Sequence, residues 1–125
     1  MELDKKHKLG KLQSDFNSKF PNLKIEFYKA AHQIGEGSSD REHLDSNLTL
    51  EECGFMIESS FFDIKPEMSV GAFEKEFSEK FDLYVQVFRK SGNLWMQTTS
   101  TDDWSLIEQN RKGGASEIHF QEKEK

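Results

Sequence analysis

The sequence predicts an α+β fold with a mostly antiparallel sheet, built as a pseudo-symmetric duplication of one α-β-β-α-β unit. Three observations carry this expectation. LGKLQSDFNSKFPNLKIEFYK, from Leu9, lies over VGAFEKEFSEKFDLYVQVFRK, from Val70, at an offset of 61 that slips to 60 after Asn22. In both copies the apolar spacing then switches from a helical stripe to strand alternation. Downstream, NLTLEE from Asn47 lies over DWSLIE from Asp103 at an offset of 56. A self-match at a fixed offset is the mark of a repeated supersecondary unit.

Each element follows from its local pattern. Val70, Phe73, Phe77 and Phe81 fall on one helical face, as do Leu9, Leu12, Phe16 and Phe20. Ser69 stands where a side-chain oxygen can accept a hydrogen bond from the first turn. Pro21 and Asp82 end the two helices, and Leu23, Ile25, Phe27 and Leu83, Val85, Val87 then alternate as half-buried strands. Ser91-Gly92-Asn93 reads as a hairpin connection to a second strand with Leu94, Met96 and Thr98 on one side. The corresponding strand of the first half, near His32 and Ile34, has a weaker pattern.

Thr49-x-x-Glu52 and Ser105-x-x-Glu108 occupy matching positions with the spacing of a capping box, so each half is expected to hold a short second helix. Cys53-Gly54 and Gly113-Gly114 then read as helix ends, and GFMIESSFFDI and ASEIHF as closing strands. From Phe55 to Phe120 the order becomes β-α-β-β-α-β, that of a ferredoxin-like plait. The chain is thus expected to form one domain over residues 1–125, with repeats at about 8–64 and 68–122 sharing the strand near 54–64. The first unit lacks an evident opening strand. Residues before Leu9, one continuous sheet, or a partner chain could complete it. The charged ends MELDKKHK and QEKEK read as fraying termini.

The paired features VGAFEKEFSEKFDLYVQV, DDWSLIE and SNLTLEE resemble a group of small uncharacterised bacterial proteins with two tandem copies of such a unit. The resemblance covers nearly the whole chain and rests on helix stripe, strand alternation and cap residues. It implies one duplicated α+β domain and carries no activity, cofactor or catalytic residue.

Composition narrows the function classes. A length of 125 residues excludes a large multidomain enzyme. Leu, Ile, Val and Phe number 30, or about a quarter, so the core must lean on the 11 Phe. With 17 Lys and Arg against 23 Asp and Glu, the net charge of -6 opposes a phosphate backbone at long range. Nucleic acid is therefore not the expected partner. The single Cys53 can form no internal disulfide, no stretch is apolar enough for a membrane span, and the opening residues lack a secretory-signal pattern. The expected setting is cytoplasmic, with no membrane partner and no cofactor.

No catalytic constellation emerges. Asp40, Glu42, His43 and Asp45 offer oxygen and imidazole ligands for a divalent ion, but not in the order of a calcium loop, and the plain reading is a solvated acidic loop. His32 and His119 are isolated in sequence, with no zinc-ligand spacing. Cys53, at an expected helix C-terminus, faces the negative end of the dipole, which disfavours a thiolate. Thr99, Ser100, Asp102 and Asp103 precede a helix, where capping requires such residues. Gly35-Glu36-Gly37 and Gly113-Gly114 lack the length of a phosphate loop. Trp95, Phe88, Arg89 and Trp104 remain as interaction candidates, with Trp95 expected on the strand face opposite Leu94 and Met96.

The expected function is accordingly a small, non-enzymatic protein-protein interaction module that uses a sheet edge or the Trp95 patch. Its partner would be another protein or a second copy in a homodimer. The alternative is a metal-dependent ligand-sensing or hydrolytic domain built on the His43 loop. A third reading, single-stranded nucleic-acid binding, rests on the aromatic and basic residues near Trp95 but lacks the RNA-module signature.

Overall fold

The computed structural model describes residues 1–29, 43–55 and 58–123. Elements run β1 (Glu2–Asp4), α1 (Leu9–Lys19), β2 (Leu23–Tyr28), β3 (Ser59–Phe61), α2 (Val70–Phe81), β4 (Tyr84–Ser91), β5 (Leu94–Gln97), a 3-10 turn (Thr99–Thr101) and α3 (Leu106–Lys123). The fold is α+β with two antiparallel sheets, a two-stranded one of order β1-β3 and a three-stranded one of order β2-β4-β5.

The helical stripes form as the spacing predicts. Leu9, Leu12 and Phe16 of α1 and Val70, Phe73 and Phe77 of α2 are fully buried. The two stripes meet through tilted rings, with Phe16 5.3 Å from Phe73, and within α2 Phe77 lies 4.9 Å from Phe81. Ser69 Oγ accepts from the Ala72 N–H at 3.0 Å, and Asp82 closes α2 at φ 53. Aspartate is one of the few non-glycine residues that adopt this left-handed conformation readily.

In the larger sheet, Ile25 lies opposite Val87 and Phe27 opposite Val85. These side chains meet the helices, as the 6.0 Å contact of Phe27 with Phe77 records. The hairpin β4–β5 closes through Gly92-Asn93, with Gly92 at φ 65 as a two-residue loop of this kind requires. β5 stops at Gln97, one residue short of Val87's partner position, and the buried Glu74 carboxylate of α2 accepts the Val87 N–H there at 2.9 Å. A side chain thus stands in for the missing strand acceptor, as a buried N–H demands.

Several predicted elements differ. The head of the chain is not frayed, because Glu2–Asp4 pairs with Ser59–Phe61 and places Leu3 in the core. The expected strand near 54–64 is laddered only over Ser59–Phe61, and residues 56 and 57 lie outside those described. The short helix after Thr49 is a single turn. Its capping box forms, with the Glu52 N–H donating to Thr49 Oγ1 at 3.2 Å and the Thr49 N–H to Glu52 Oε1 at 3.0 Å. Gly54 at φ 98 then lets Phe55 N–H return to Leu50 O at 2.9 Å and Gly54 N–H to Glu51 O at 3.0 Å, a Schellman stop one turn after the start.

The largest difference is at the other end. The second such helix is long, not short, and Gly113-Gly114 sit inside it. The expected closing strand ASEIHF is therefore helical, so the second half does not complete the ferredoxin-like order. The glycines serve contact here instead of termination. A Cβ on Gly113 would stand 2.9 Å from both the Cβ and the carbonyl oxygen of Asn22. The strand expected near His32 and Ile34 lies outside the described residues.

Both long-helix starts are clamped by the same set of backbone bonds. Leu9 N–H donates to Leu48 O and Val70 N–H to Trp104 O, while Gly10 N–H donates to Ser46 O and Gly71 N–H to Asp102 O. Leu50 N–H donates to His7 O and Leu106 N–H to Met68 O in return. Each clamp ties a helix to a segment about 40 residues or 34 residues further on, so both helices are anchored by non-local bonds at their first turn.

Candidate functional site

Strand alternation divides the four interaction candidates between two faces. In β4, Phe88 and Lys90 project away from the helices, and Arg89 projects toward them. Trp95, opposite Lys90, joins Phe88 on the first face, where Lys24 Nζ stands 5.3 Å from both ring centroids and Lys90 Nζ 5.7 Å from that of Trp95. Trp104 joins Arg89 on the second face, with the guanidinium carbon 5.8 Å from its ring centroid. Trp95 lies on the face opposite Leu94 and Met96, as strand alternation predicts, and it is the Leu94 and Met96 face of β5 that is left open. Trp95 is half-buried under the two lysines, whereas Leu94 is 67% and Met96 39% exposed. The reason is positional: β5 borders the sheet, and the helix layer does not extend over its outer side chains.

Arg89 is held in a fixed orientation. Gln109, fully buried in α3, donates through Nε2 to Thr101 O at 2.9 Å and Thr101 Oγ1 at 2.6 Å. That commits its amide nitrogen and turns its carbonyl oxygen toward Arg89, which donates to it from Nη1 at 3.1 Å. From Nη2 the guanidinium reaches Met96 Sδ at 3.8 Å, a weak sulfur acceptor. Its Nε is buried without a hydrogen-bond partner among the described residues.

The acidic loop gives a different picture. Asp40 and Glu42 lie outside the described residues. His43 Nε2 lies 2.7 Å from Glu26 Oε2, which also accepts from Gln13 Nε2 at 2.9 Å, and the His43 ring meets Tyr28 edge-on at 5.4 Å. Asp45 Oδ1 accepts the Asn47 N–H at 2.7 Å, as a turn aspartate does. Among the described residues no group of three or more His, Cys, Asp or Glu is placed to hold a metal ion. His32 is outside the described residues, and His119 falls in the part of α3 whose side chains are not described.

Cys53 is half-buried at the wall of a cleft of about 390 Å³ that Tyr28, Leu44, Leu48 and Leu83 also line. Burial, and then the neighbouring Glu52 carboxylate, push its thiol above the usual range. Glu52 itself is held below the usual carboxylate range by its hydrogen bonds from Thr49. A thiol with a raised pKa carries little thiolate near neutrality and is a poor nucleophile. Cys53 in the folded chain is expected to react with a disulfide reagent at pH 7.5 more slowly than in the urea-unfolded chain. Equal or faster reaction would show an activated thiol.

Sequence reasoning passed over Leu94, Met96 and Gln109. A signal for the first two was present, since the 11 residues from Ser91 to Thr101 carry no charge in a chain that is 32% charged. No signal marks Gln109, whose role depends on the passage of α3 over β4. No family model matches this chain, and no curated protein or solved structure matches it. Among the described residues no helix is long and apolar enough to cross a membrane.

Proposed function

We propose that this protein is a non-enzymatic interaction module that receives an extended segment of another protein along β5. The observation that carries the reading is the uncharged border strand Leu94–Gln97 with Leu94 and Met96 exposed. Edge strands are ordinarily defended by charge, proline or a covering element, because their outward N–H and C=O groups template further pairing. This one has neither a charged residue nor a proline in its sequence. Ser91 and Leu94 flank the two-residue loop as a hydrogen-bonded pair, so Met96 also bonds toward β4 and the N–H and C=O of Trp95 point away from it. Strand addition uses such groups for affinity and alternate side chains for specificity.

The two-copy architecture belongs to this proposal. Its support is the clamp bonds, which recur at the same offsets of 61 and 56 as the sequence match. Membership of the tandem-copy bacterial group is part of the same proposal and rests on the sequence features that resemble it. A cytoplasmic setting fits a lone, half-buried Cys53.

Leu94→Lys supplies the test, since a substitution at so exposed a position should change stability by no more than about 0.5 kcal/mol. Tagged wild-type chain is expected to retain a stoichiometric protein partner from its host, and Leu94→Lys to lose it while unfolding at an unchanged urea midpoint. Failure of the wild type to retain a protein, or retention undiminished in Leu94→Lys, would overturn the reading.

A further inference from the structure

Arg89 is a half-buried cation without a counter-ion among the described residues. The exposed Arg111 has Glu108 and the half-buried Lys5 has Glu58, yet no carboxylate of the described residues pairs with Arg89. A chain with 23 acidic residues had ample means to place one there. Desolvating a charge without a counter-charge is unfavourable, and the face of Trp104 and the Gln109 carbonyl offset only part of that cost.

The fork is also aimed. The Gln109–Thr101 bonds hold the inner nitrogen, and Nη2 reaches Met96 Sδ of β5, a thioether being its one acceptor among the described residues. A strand added at β5 would lie about 4.8 Å beyond it, with every second side chain on the same face as Leu94 and Met96. A glutamate or aspartate in that row would lie beside Met96 and could accept from Nη2 with the strength of a charge-assisted bond.

Resting on the strand-addition reading above, we propose that the segment received at β5 is acidic. Its carboxylate pairs with Arg89, and the apolar residues flanking it cover Leu94 and Met96. A second copy of this chain does not fit the site. Its own β5 carries no carboxylate to pair with Arg89. The net charge of -6 opposes any acidic partner at long range, but at physiological salt screening confines the effect to about 8 Å, so the contact with Arg89 decides.

The experiment is a selection of displayed random 12-residue peptides on the full chain, with affinities of the enriched peptides then measured by fluorescence anisotropy. Enriched peptides are expected to carry Asp or Glu among apolar residues. Changing that carboxylate to its amide, or Arg89 to Gln, should weaken binding about tenfold or more. Arg89→Lys, which keeps the charge and loses the fork, should restore only part of it. Enriched peptides without carboxylates, or affinities within twofold after the amide change on wild-type protein, would overturn the acidic ligand even if Arg89→Gln failed to fold. Those same peptides losing affinity in Leu94→Lys would leave strand addition standing. Binding indifferent to Leu94→Lys, or no enrichment at all, would overturn both.

Discussion

Phe77→Ala is expected to destabilise the fold by about 3–5 kcal/mol, the largest effect of any single truncation considered. The ring is fully buried and is the crossroads of the aromatic core, with centroids 4.9 Å from Phe81, 5.6 Å from Phe62, and 6.0 Å from Phe27 and Phe73. Four neighbours from α2, β2 and the segment after β3 cannot all collapse into the space that one ring vacates. The lost transfer energy is therefore joined by a cavity cost. Against a total stability of about 5–15 kcal/mol, that is a large fraction. At about 2 kcal/mol per molar urea, the unfolding midpoint should fall by roughly 2 M. Phe61→Ala is the control, since this ring is 60% exposed and should shift the midpoint little. A loss under about 1 kcal/mol for Phe77→Ala would contradict the observed packing, because even a well-relaxed Phe site costs more.

The elements legible in sequence are those whose determinants are local. The stripe from Val70 to Phe81 and its counterpart from Leu9 to Phe20 are set by residues three and four apart, and both helices bury the expected faces. β2, β4 and the Gly92-Asn93 hairpin follow from alternation and one positive-φ glycine. Glycine pairs are where local reading divides. Cys53-Gly54 ends a turn as predicted because Gly54 adopts the left-handed conformation, whereas Gly113 holds ordinary helical geometry and is demanded by a neighbour 91 positions away.

The candidate site was legible only as a neighbourhood. Phe88, Arg89 and Trp95 stand together in sequence, but adjacent strand residues face opposite sides, so Arg89 leaves its neighbours for the helix face. Which face a residue takes follows from alternation. Whether that face is covered depends on where α3 crosses, and no residue of β5 encodes that. Leu94 and Met96 thus have a core-like pattern and a surface position. An intrinsically apolar strand left at the border is a local preference in conflict with its environment, and such conflicts concentrate at functional surfaces.

Gly113→Val is expected to cost about 3 kcal/mol, at the upper end for overpacking a tight contact. The first branch carbon would stand 2.9 Å from the Asn22 carbonyl oxygen and Cβ and 3.2 Å from Arg89 Cγ. Asn22 cannot give way. Its N–H donates to Asn110 Oδ1 at 2.8 Å, its Nδ2 to Asn110 O at 3.1 Å, and its own carbonyl accepts the Lys90 N–H at 3.1 Å. The sign of the milder Gly113→Ala is more informative. Helix propensity alone favours alanine over glycine by about 0.8–1 kcal/mol, and a residue placed there only by chance should be stabilised by the change. A backbone contact at 2.9 Å predicts the reverse, with α3 forced to lift from Asn22 and Arg89. Lifting would part Gln109 from Arg89 and Ser116 Oγ from the Gly92 N–H, now 2.7 Å apart. Stability measured by urea unfolding and peptide affinity should therefore fall together in Gly113→Ala, the second because the guanidinium loses the support that aims it. A variant more stable than wild type would place α3 away from β2. Unchanged affinity in a destabilised variant would separate Arg89 from the helix that holds it.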